Sequence, residues 1–276
     1  PGDFSSAIYE SIFTINMTIN GNEIAEKVLR ELRKQTVPEK ELAAILVGDD
    51  SASLSFLRKK AETAQLLNVK FKLYRFPDTL EQYDLQKKVR EIYLREDVGG
   101  VIIQLPLPAR YDRVSVLNQI GIDKDIDVLN GETSKVLAPA AASLERILSE
   151  IKFDPTGKNV VVVGSGFLIG RPIANWLMSR AKQVTVINRG GYESALIRNA
   201  DLVVSGTGVP RLIKGQDVKH GSVIVDYGYG RDEADELSGD VDLKSVSKVA
   251  GWVTPTPGGT GPVVVAMLFS NFYKLQ

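Results

Sequence analysis

The chain has 276 residues, enough for two ordinary domains, and its 34 basic side chains balance its 34 acidic ones. Balanced charge argues against a nucleic-acid or anionic-membrane partner, and no apolar stretch approaches the roughly 18–20 residues of a membrane span. With no cysteine and a single histidine, disulfides and thiolate catalysis are excluded and a metal site is not expected. We therefore expect a soluble, cytoplasmic protein.

The first half of the chain alternates between helical and strand patterns. Apolar residues recur at helical spacing from Ile24 to Leu32, and Leu42–Val47 is a short apolar run that ends at Gly48. The further elements predicted here are a helix at 51–67, a strand at 69–74, a helix at 80–94 and a strand at 101–105. Strands that alternate with helices imply a parallel sheet with right-handed crossovers. Residues 1–16 contain no Lys or Arg, unlike a secretory signal, and are left out of this prediction.

The second half contains the most informative stretch of the sequence. The β-branched run Val160–Val163 suits a strand buried on both faces, and Gly164, Gly166 and Gly170 follow it before Pro172. Such glycines let the backbone turn tightly and approach a pyrophosphate at the start of the next helix. The last glycine interval is one residue longer than in the ordinary dinucleotide fingerprint. A plain strand-to-helix turn is the alternative interpretation.

The remaining pattern of the second half predicts strands at 184–187, 202–204 and 223–225 and helices at 144–151 and 262–273. This alternation is typical of a doubly wound nucleotide-binding domain. The sequence therefore predicts an α/β protein of two α/β domains with a cleft between them, the C-terminal one a Rossmann-like, doubly wound parallel sheet. We expect the first domain to cover 17–138, completed by the C-terminal helix 262–276, and the second to cover 139–261.

Two polar residues of the first half are candidates for chemistry. Lys60 follows Phe56 by four residues, so both side chains project from one helical face. A lysine that is partly desolvated beside a ring has a lowered pKa, which suits proton transfer near neutral pH. Gln104 falls at a strand end, where α/β sheets bind ligands. A solvated lysine and a purely structural glutamine are the alternatives.

Other candidates lie in loops. Asp127 ends the acidic run 123–127, which is otherwise a solvated loop or a helix cap, and the glycines of 255–262 would let the backbone approach a flat ligand. Arg189 follows a strand at the place where NAD-specific domains carry an acidic residue, so a cation there favours the phosphate of NADP, unless it is a plain surface arginine. His220 falls in a turn, where we expect it to face solvent.

Three motifs, in this order along the chain, resemble those of the methylenetetrahydrofolate dehydrogenase/cyclohydrolase family. They are VIIQLPLP at 101–108, VGSGFLIGRP at 163–172 and PTPGGTGP at 255–262. The resemblance extends from about Ile19 to Phe272. It implies a bifunctional enzyme of folate metabolism, usually a homodimer. Such an enzyme moves a hydride from methylenetetrahydrofolate to NADP and then hydrolyses the methenyl product to formyltetrahydrofolate.

The resemblance also implies roles for individual residues. By position, Lys60 matches the catalytic lysine that handles the proton of the hydrolytic step, Gln104 the glutamine that contacts it, and Asp127 the aspartate that holds the pterin ring. Phe56 and the loop Pro257, Gly258 and Gly259 would contact the folate. The residues implied to bind the cofactor, NADP in preference to NAD, are Gly164, Ser165, Gly166, Ile169, Gly170, Arg189 and Tyr229.

Several positions depart from the family's pattern. The family usually has tyrosine where this chain has Phe56, so we expect hydrolysis to suffer more than hydride transfer. Ser165 and Gly166 replace the usual arginine and serine, which removes one expected phosphate partner. Val128 replaces the glycine that usually follows the aspartate, and Ala140–Ala142 replaces a Cys-Thr-Pro segment.

Three alternatives stay open on the sequence alone. The first is a dehydrogenase of this family with weak cyclohydrolase activity. The second is a different nicotinamide-dependent dehydrogenase on the same two-domain plan. The third is a folate- or nucleotide-binding protein without catalysis. The Gln104 motif and the 255–262 loop argue against the second, because that plan alone does not require them. The presence of Lys60, Gln104 and Asp127 together argues against the third.

Overall fold

The computed structural model describes residues 17–130, 134–188 and 190–276. The chain divides into two compact units. The first unit comprises Glu23–Ser143 and Val263–Gln276, and the second comprises the described residues up to Asn22 together with Leu144–Pro262. In the part of the chain that the structure covers, no helix combines the length and apolarity that crossing a membrane requires.

The helices and strands follow the alternation that the sequence predicts. The helices are α1 (Gly21–Leu32), α2 (Ser51–Leu66), α3 (Gln82–Tyr93), α4 (Arg113–Leu117), α5 (Pro139–Glu150), α6 (Gly170–Met178), α7 (Ser194–Ile197), α8 (Leu243–Val246) and α9 (Thr260–Lys274), with a 3-10 turn at Gly215–Asp217. The strands are β1 (Met17–Thr18), β2 (Glu41–Val47), β3 (Phe71–Phe76), β4 (Val98–Ile103), β5 (Asn159–Val163), β6 (Gln183–Ile187), β7 (Leu202–Ser205), β8 (Val223–Asp226), β9 (Gly230–Arg231), β10 (Leu237–Ser238) and β11 (Trp252–Val253).

The first unit is built on a three-stranded parallel sheet in the order β3-β2-β4. Strand β2 lies in the middle, and its residues from Leu42 onward are buried, which explains its unbroken apolar run. Strand β4 begins at Val98, earlier than the predicted 101. The two glycines near its start do not show a strand pattern in the sequence. In the structure, Gly100 lies against α9, and a Cβ there would stand 2.7 Å from a ring carbon of Phe272.

The C-terminal helix α9 supplies much of the core of the first unit. Ala266, Leu268, Phe269 and Phe272 are buried in one cluster with residues of β2, β4, α1 and α2. Burying a phenylalanine side chain contributes roughly 1.5–3 kcal/mol. The helix therefore belongs energetically to the first unit, although it follows the second in the sequence.

The second unit is built on a six-stranded sheet in the order β1-β11-β8-β7-β5-β6, and all of its pairings are parallel. The chain passes from β5 to β6 on one side and then to β7 on the other side of β5. This reversal makes a topological switch point, outside which doubly wound sheets bind ligands. The Rossmann-like prediction is confirmed.

Two local features of the fold differ from the sequence prediction. Helix α5 begins at Pro139 rather than at residue 144, because proline is tolerated in a first helical turn and the alanines after it are the strongest helix formers. The short antiparallel hairpin β9–β10 was not predicted, because two-residue strands carry too few residues to show alternation.

Candidate functional site

Helix α2 carries two of the candidate residues of the first unit. It begins after Asp50, whose carboxylate accepts the backbone N–H of Ser53 at 2.7 Å. Hydrogen bonds from the backbone and side chain of Ser53 lower the pKa of Asp50. Phe56 and Lys60 lie one turn apart farther along the helix, and both are partly buried. The prediction that these two side chains share one helical face agrees with this placement.

The side chain of Lys60 contacts the end of the neighbouring strand. Its Nζ donates to Oε1 of Gln104 at 3.2 Å. Gln104 follows β4, is 7% exposed, and donates its own backbone N–H to the carbonyl of Ile45 at 2.9 Å. Its Nε2 donates to the carbonyl of Leu105 at 2.7 Å, which turns Oε1 toward the lysine. The amide thus holds the amine in one orientation.

The electrostatics of the site involve Asp127 as well. Burial lowers the pKa of Lys60, and the negative charge of Asp127 acts in the opposite direction. Burial likewise raises the pKa of Asp127, and Lys60 opposes that shift. The two groups therefore partly compensate the cost of each other's burial. A lysine with a lowered pKa, a fixed acceptor and a coupled carboxylate can take up and return a proton.

A tightly closed loop carries Asp127. The residue two positions earlier, Asp125, is 3% exposed, and its Oδ2 accepts the backbone N–H groups of Leu129 at 2.7 Å and Asn130 at 2.9 Å. Asp125 also forms a parallel bridge with Val101 of β4. Burial raises the pKa of the Asp125 carboxyl to about 6, and the charge of Asp127 adds to this rise; together they outweigh the backbone hydrogen bonds, which lower it.

The neighbours of this loop fix it from outside. Lys124 donates to the carbonyls of Tyr93 and Arg95 at 2.7 and 2.9 Å. Asn271 of α9, 1% exposed, donates to the carbonyls of Ile126 at 2.9 Å and Leu137 at 2.8 Å. Sequence reasoning missed both Asp125 and Asn271; an amide inside the apolar C-terminal helix was the one available signal.

The glycine-rich loop of the second unit is held together by its own backbone. Gly164 has φ 99°, and a Cβ there would lie 2.8 Å from the carbonyl oxygen of Gly206. A Cβ on Gly170, the first residue of α6, would lie 1.7 Å from the oxygen of Gly164. Ile169 packs on Gly206, where an added Cβ would stand 2.7 Å from its Cγ2. These close contacts within the turn therefore require glycine at all three positions.

The same loop leaves space for a ligand. Ser165 and Gly166 are exposed, and a Cβ on Gly166 would find its nearest atom only at 4.0 Å. Helix α6 begins at Gly170, after a short turn, and the free N–H groups of a helix start attract a phosphate. The loop lies beside the switch point of the sheet. These features fit the pyrophosphate of a dinucleotide.

The other predicted residues are distributed as follows. Tyr229 follows β8 in the second unit and is 45% exposed. The loop with Pro257, Gly258 and Gly259 also belongs to the second unit, where the backbone N–H of Gly21 donates to the carbonyl of Gly258 at 2.9 Å. His220 lies exposed in a turn, as predicted. Arg189 lies outside the described residues.

Sequence reasoning did not single out the buried carboxylate that anchors the segment before Tyr229. Asp226 ends β8, and its oxygens accept the backbone N–H groups of Gly228 at 2.7 Å, Val241 at 3.0 Å and Asp240 at 3.2 Å. Burial and the nearby Asp240 raise the pKa of Asp226 to about 7. The alternation of the sequence gives no signal for this role, because it depends on two loops meeting in space.

Comparisons with known proteins agree with this geometry. Residues 138–276 match the model of the NAD(P)-binding domain of tetrahydrofolate dehydrogenase/cyclohydrolase, and residues 19–127 match the model of its catalytic domain. The bifunctional protein FolD of Moorella thermoacetica is 32% identical over 270 residues, which are 92% of this chain and 96% of the relative.

Two solved structures are also similar over almost their whole length. The crystal structure of the bifunctional FolD enzyme from Campylobacter jejuni has a TM-score of 0.88 and 30% identity, covering 94% of this chain and 98% of that one. The FolD structure from Trypanosoma brucei, complexed with NADP cofactor and an inhibitor, has a TM-score of 0.88 and 27% identity, covering 94% and 96%.

Proposed function

Because the chain belongs to the tetrahydrofolate dehydrogenase/cyclohydrolase family, we propose that it is a bifunctional enzyme of folate one-carbon metabolism. It oxidises methylenetetrahydrofolate to methenyltetrahydrofolate with NADP and then hydrolyses the methenyl product to formyltetrahydrofolate. The observation that carries this proposal is the hydrogen bond from Lys60 to Gln104 beside the coupled carboxylate of Asp127.

In the hydrolytic step, Lys60 is the group that handles protons. Addition of water to the methenyl carbon releases a proton, and opening of the ring places a proton on the departing nitrogen. A neutral amine can accept the first proton and return one to the nitrogen, and the lowered pKa of Lys60 increases the neutral fraction. Gln104 orients the amine, and Asp127 binds the pterin ring.

In the oxidation, the chain's contribution is mainly orientation. When bound, NADP supplies the nicotinamide ring that accepts the hydride. The loop with Gly164, Ser165, Gly166, Ile169 and Gly170 holds its pyrophosphate. Arg189 as the partner of the 2′-phosphate, Tyr229 as a cofactor contact, and Phe56 and the 257–259 loop as folate contacts are proposals that rest on the resemblance.

The proposal is tested by mixing the purified chain with methylenetetrahydrofolate and either NADP or NAD. We expect the absorbance of reduced cofactor to rise faster with NADP, and the methenyl product to appear and then decay. The Lys60→Met variant should stop the decay, while Lys59→Met, which removes an exposed neighbouring amine, should not. No cofactor reduction with either nucleotide would contradict the proposal.

The resemblance also supports a homodimer and a cytoplasmic location. Light scattering on the purified chain tests the first, with twice the mass of one chain as the expected result. A single-chain mass across micromolar concentrations would contradict it.

A further inference from the structure

The loop that presents Asp127 is fixed by a buried residue for which the proposed reaction gives no role. Asp125 has its carboxylate inside the turn 125–130, where Oδ2 accepts N–H groups from Leu129 and Asn130 at 2.7 and 2.9 Å. Its carbonyl also accepts the N–H of Val128 at 3.3 Å. All three bonds close the chain around Asp127, which lies between them.

The conformation of this turn is one that the sequence does not favour by itself. Val128 has φ 56°, in the left-handed region that β-branched residues avoid. Such a conformation persists only where the surrounding bonds over-determine it. Here the two N–H groups that follow Val128 are both held by Asp125. The carboxylate therefore provides the restraint that the glycine-free turn needs.

The residue on the other side of Asp127 is fixed as well. Ile126 is fully buried, and its carbonyl accepts Nδ2 of Asn271 at 2.9 Å. Asp127, by contrast, is only partly buried and interacts electrostatically with Lys60. The backbone on both sides of the functional carboxylate is thus held by buried polar side chains from within the loop and from α9.

We infer that Asp125 is a positioning residue, which closes the 125–130 turn and so holds the Asp127 carboxylate where it interacts with Lys60 and the folate. Asn271 supports the same turn from α9. This inference deepens the proposed function and rests on it. There are two alternatives to this positioning role. In the first, Asp125 acts on the site directly through its negative charge; in the second, it stabilises the whole first unit and has no specific effect on Asp127.

A double-mutant cycle tests whether Asp125 acts through Asp127, because residues that act through one another are not additive. The variant Asp125→Asn separates positioning from the direct charge interaction of the two carboxylates, because it removes the charge and keeps an acceptor oxygen. We would measure kcat and KM for methylenetetrahydrofolate in wild type, Asp125→Ala, Asp127→Ala and the double variant. When Asp125 is removed, the Asp127 carboxylate is displaced and loses its hydrogen bond to the folate. Loss of a hydrogen bond to a charged group weakens binding roughly tenfold or more. We expect Asp125→Ala to raise KM for the folate about tenfold, with KM for NADP unchanged. In the Asp127→Ala background, Asp125→Ala should raise the KM for the folate by less than about a further twofold.

Conservative and control variants make the test specific. Asp125→Asn keeps an acceptor oxygen for the two N–H groups, so it should restore most of the folate affinity. Asn271→Leu removes the support from α9 and should reproduce the effect on the folate KM more weakly. Asp123→Asn, an exposed acid of the same segment, and Ser270→Ala, a buried neighbour on α9, should leave both KM values unchanged.

The outcomes are distinguishable from failure of the proposed function. If wild type reduces no cofactor, calorimetric binding of tetrahydrofolate to the same variants replaces the kinetic readout, and the cycle still applies. If Asp125→Ala does not fold, Asp125→Asn and Asn271→Leu carry the test. An equal effect of Asp125→Ala with and without Asp127, an equal rise in KM for NADP, or an unchanged folate KM would overturn the inference.

Discussion

The two candidate sites of this chain use different parts of the polypeptide. In the first unit, the proposed chemistry depends on side chains: the amine of Lys60, the amide of Gln104 and the carboxylate of Asp127. In the second unit, the proposed cofactor binding depends on backbone that approaches closely because Gly164 and Gly170 have no side chain. A side-chain site loses its chemistry when one group changes, whereas a backbone site tolerates changes such as Ser165 and Gly166 as long as the chain path is kept.

The largest expected effect is that of Lys60→Met. Loss of a positioned proton-transfer group lowers a rate by roughly 100-fold or more, so the cyclohydrolase rate should fall by that factor while KM for NADP stays unchanged. Burial disfavours the charge of Lys60, but the variant also removes the charge that offsets the burial of the Asp127 carboxylate, so we expect no gain in stability over wild type. Stopped-flow decay of the methenyl product and urea unfolding measure the two effects.

The matched control for that variant is Lys59→Met, which changes an exposed lysine on the same helix. The direction of the Lys60 pKa shift can be checked from the pH dependence of the free energy of unfolding. The folded pKa of Lys60 is lowered, so the unfolded chain binds more protons, and wild-type stability should rise with pH between the folded and unfolded pKa values. Lys60→Met should lack this rise. A full cyclohydrolase rate in Lys60→Met would remove the basis of the side-chain site.

The backbone site is expected to break at Gly170→Ala. A Cβ there would lie 1.7 Å from the oxygen of Gly164, so the loop must move. We expect a loss of about 1–3 kcal/mol in the free energy of unfolding and a clear rise in KM for NADP, with the folate KM unchanged. Gly166→Ala meets open space, so its stability should stay within about 0.5 kcal/mol of wild type, although the added methyl takes ligand space. A stable Gly170→Ala enzyme with normal NADP affinity would contradict this interpretation.

Asp127→Asn tests the electrostatic coupling within the side-chain site. The charge of Asp127 raises the pKa of Lys60, so removing that charge should lower it further. The cyclohydrolase rate rises with pH as the amine loses its proton, and the rise should therefore move to lower pH. The measurement is kcat against pH at saturating folate, with Asp123→Asn as the control that leaves the profile in place. A shift to higher pH would show that the coupling is wrongly assigned.

The smallest expected effect is that of Phe56→Tyr. A hydroxyl near Lys60 adds a hydrogen bond worth about 1 kcal/mol, which corresponds to a gain of roughly fivefold in the cyclohydrolase rate. The dehydrogenase rate should change less than about twofold, because it depends on ring orientation. Phe56→Leu controls for the ring itself and should not raise either rate. Equal cyclohydrolase rates in Phe56→Tyr and wild type would contradict the expectation that Phe56 lowers the rate of hydrolysis.

The parts of this molecule that sequence predicts well are those that follow from local periodicity. The strand ahead of Gly164 and the position of Lys60 on a helix come from patterns of a few residues, and their neighbours in space do not change them. The position of Gln104 at a strand end follows from the same kind of pattern. The start of strand β4 at Val98 does not, because the glycines near its beginning are typical of a loop.

The parts that sequence missed depend on contacts between distant segments. Asp125 reads as one acid in an acidic run, and only the path of the backbone brings two N–H groups onto its carboxylate. Asn271 lies 145 positions from the carbonyl of Ile126 that it contacts. Val128 was recognised as unusual at its position, but its left-handed backbone could not be read from residue type, because valine disfavours that conformation.

The most direct test of the account is a titration of the Lys60 amine itself. Selective labelling of lysine ¹⁵Nζ or ¹³Cε, with Lys60→Met to assign the signal, gives its pKa in the intact protein. We expect a pKa below the ordinary lysine value of 10.5, in the direction that burial imposes. A Lys60 pKa at or above that ordinary value would mean that the amine is solvated, and the proposed proton transfer would have no physical basis.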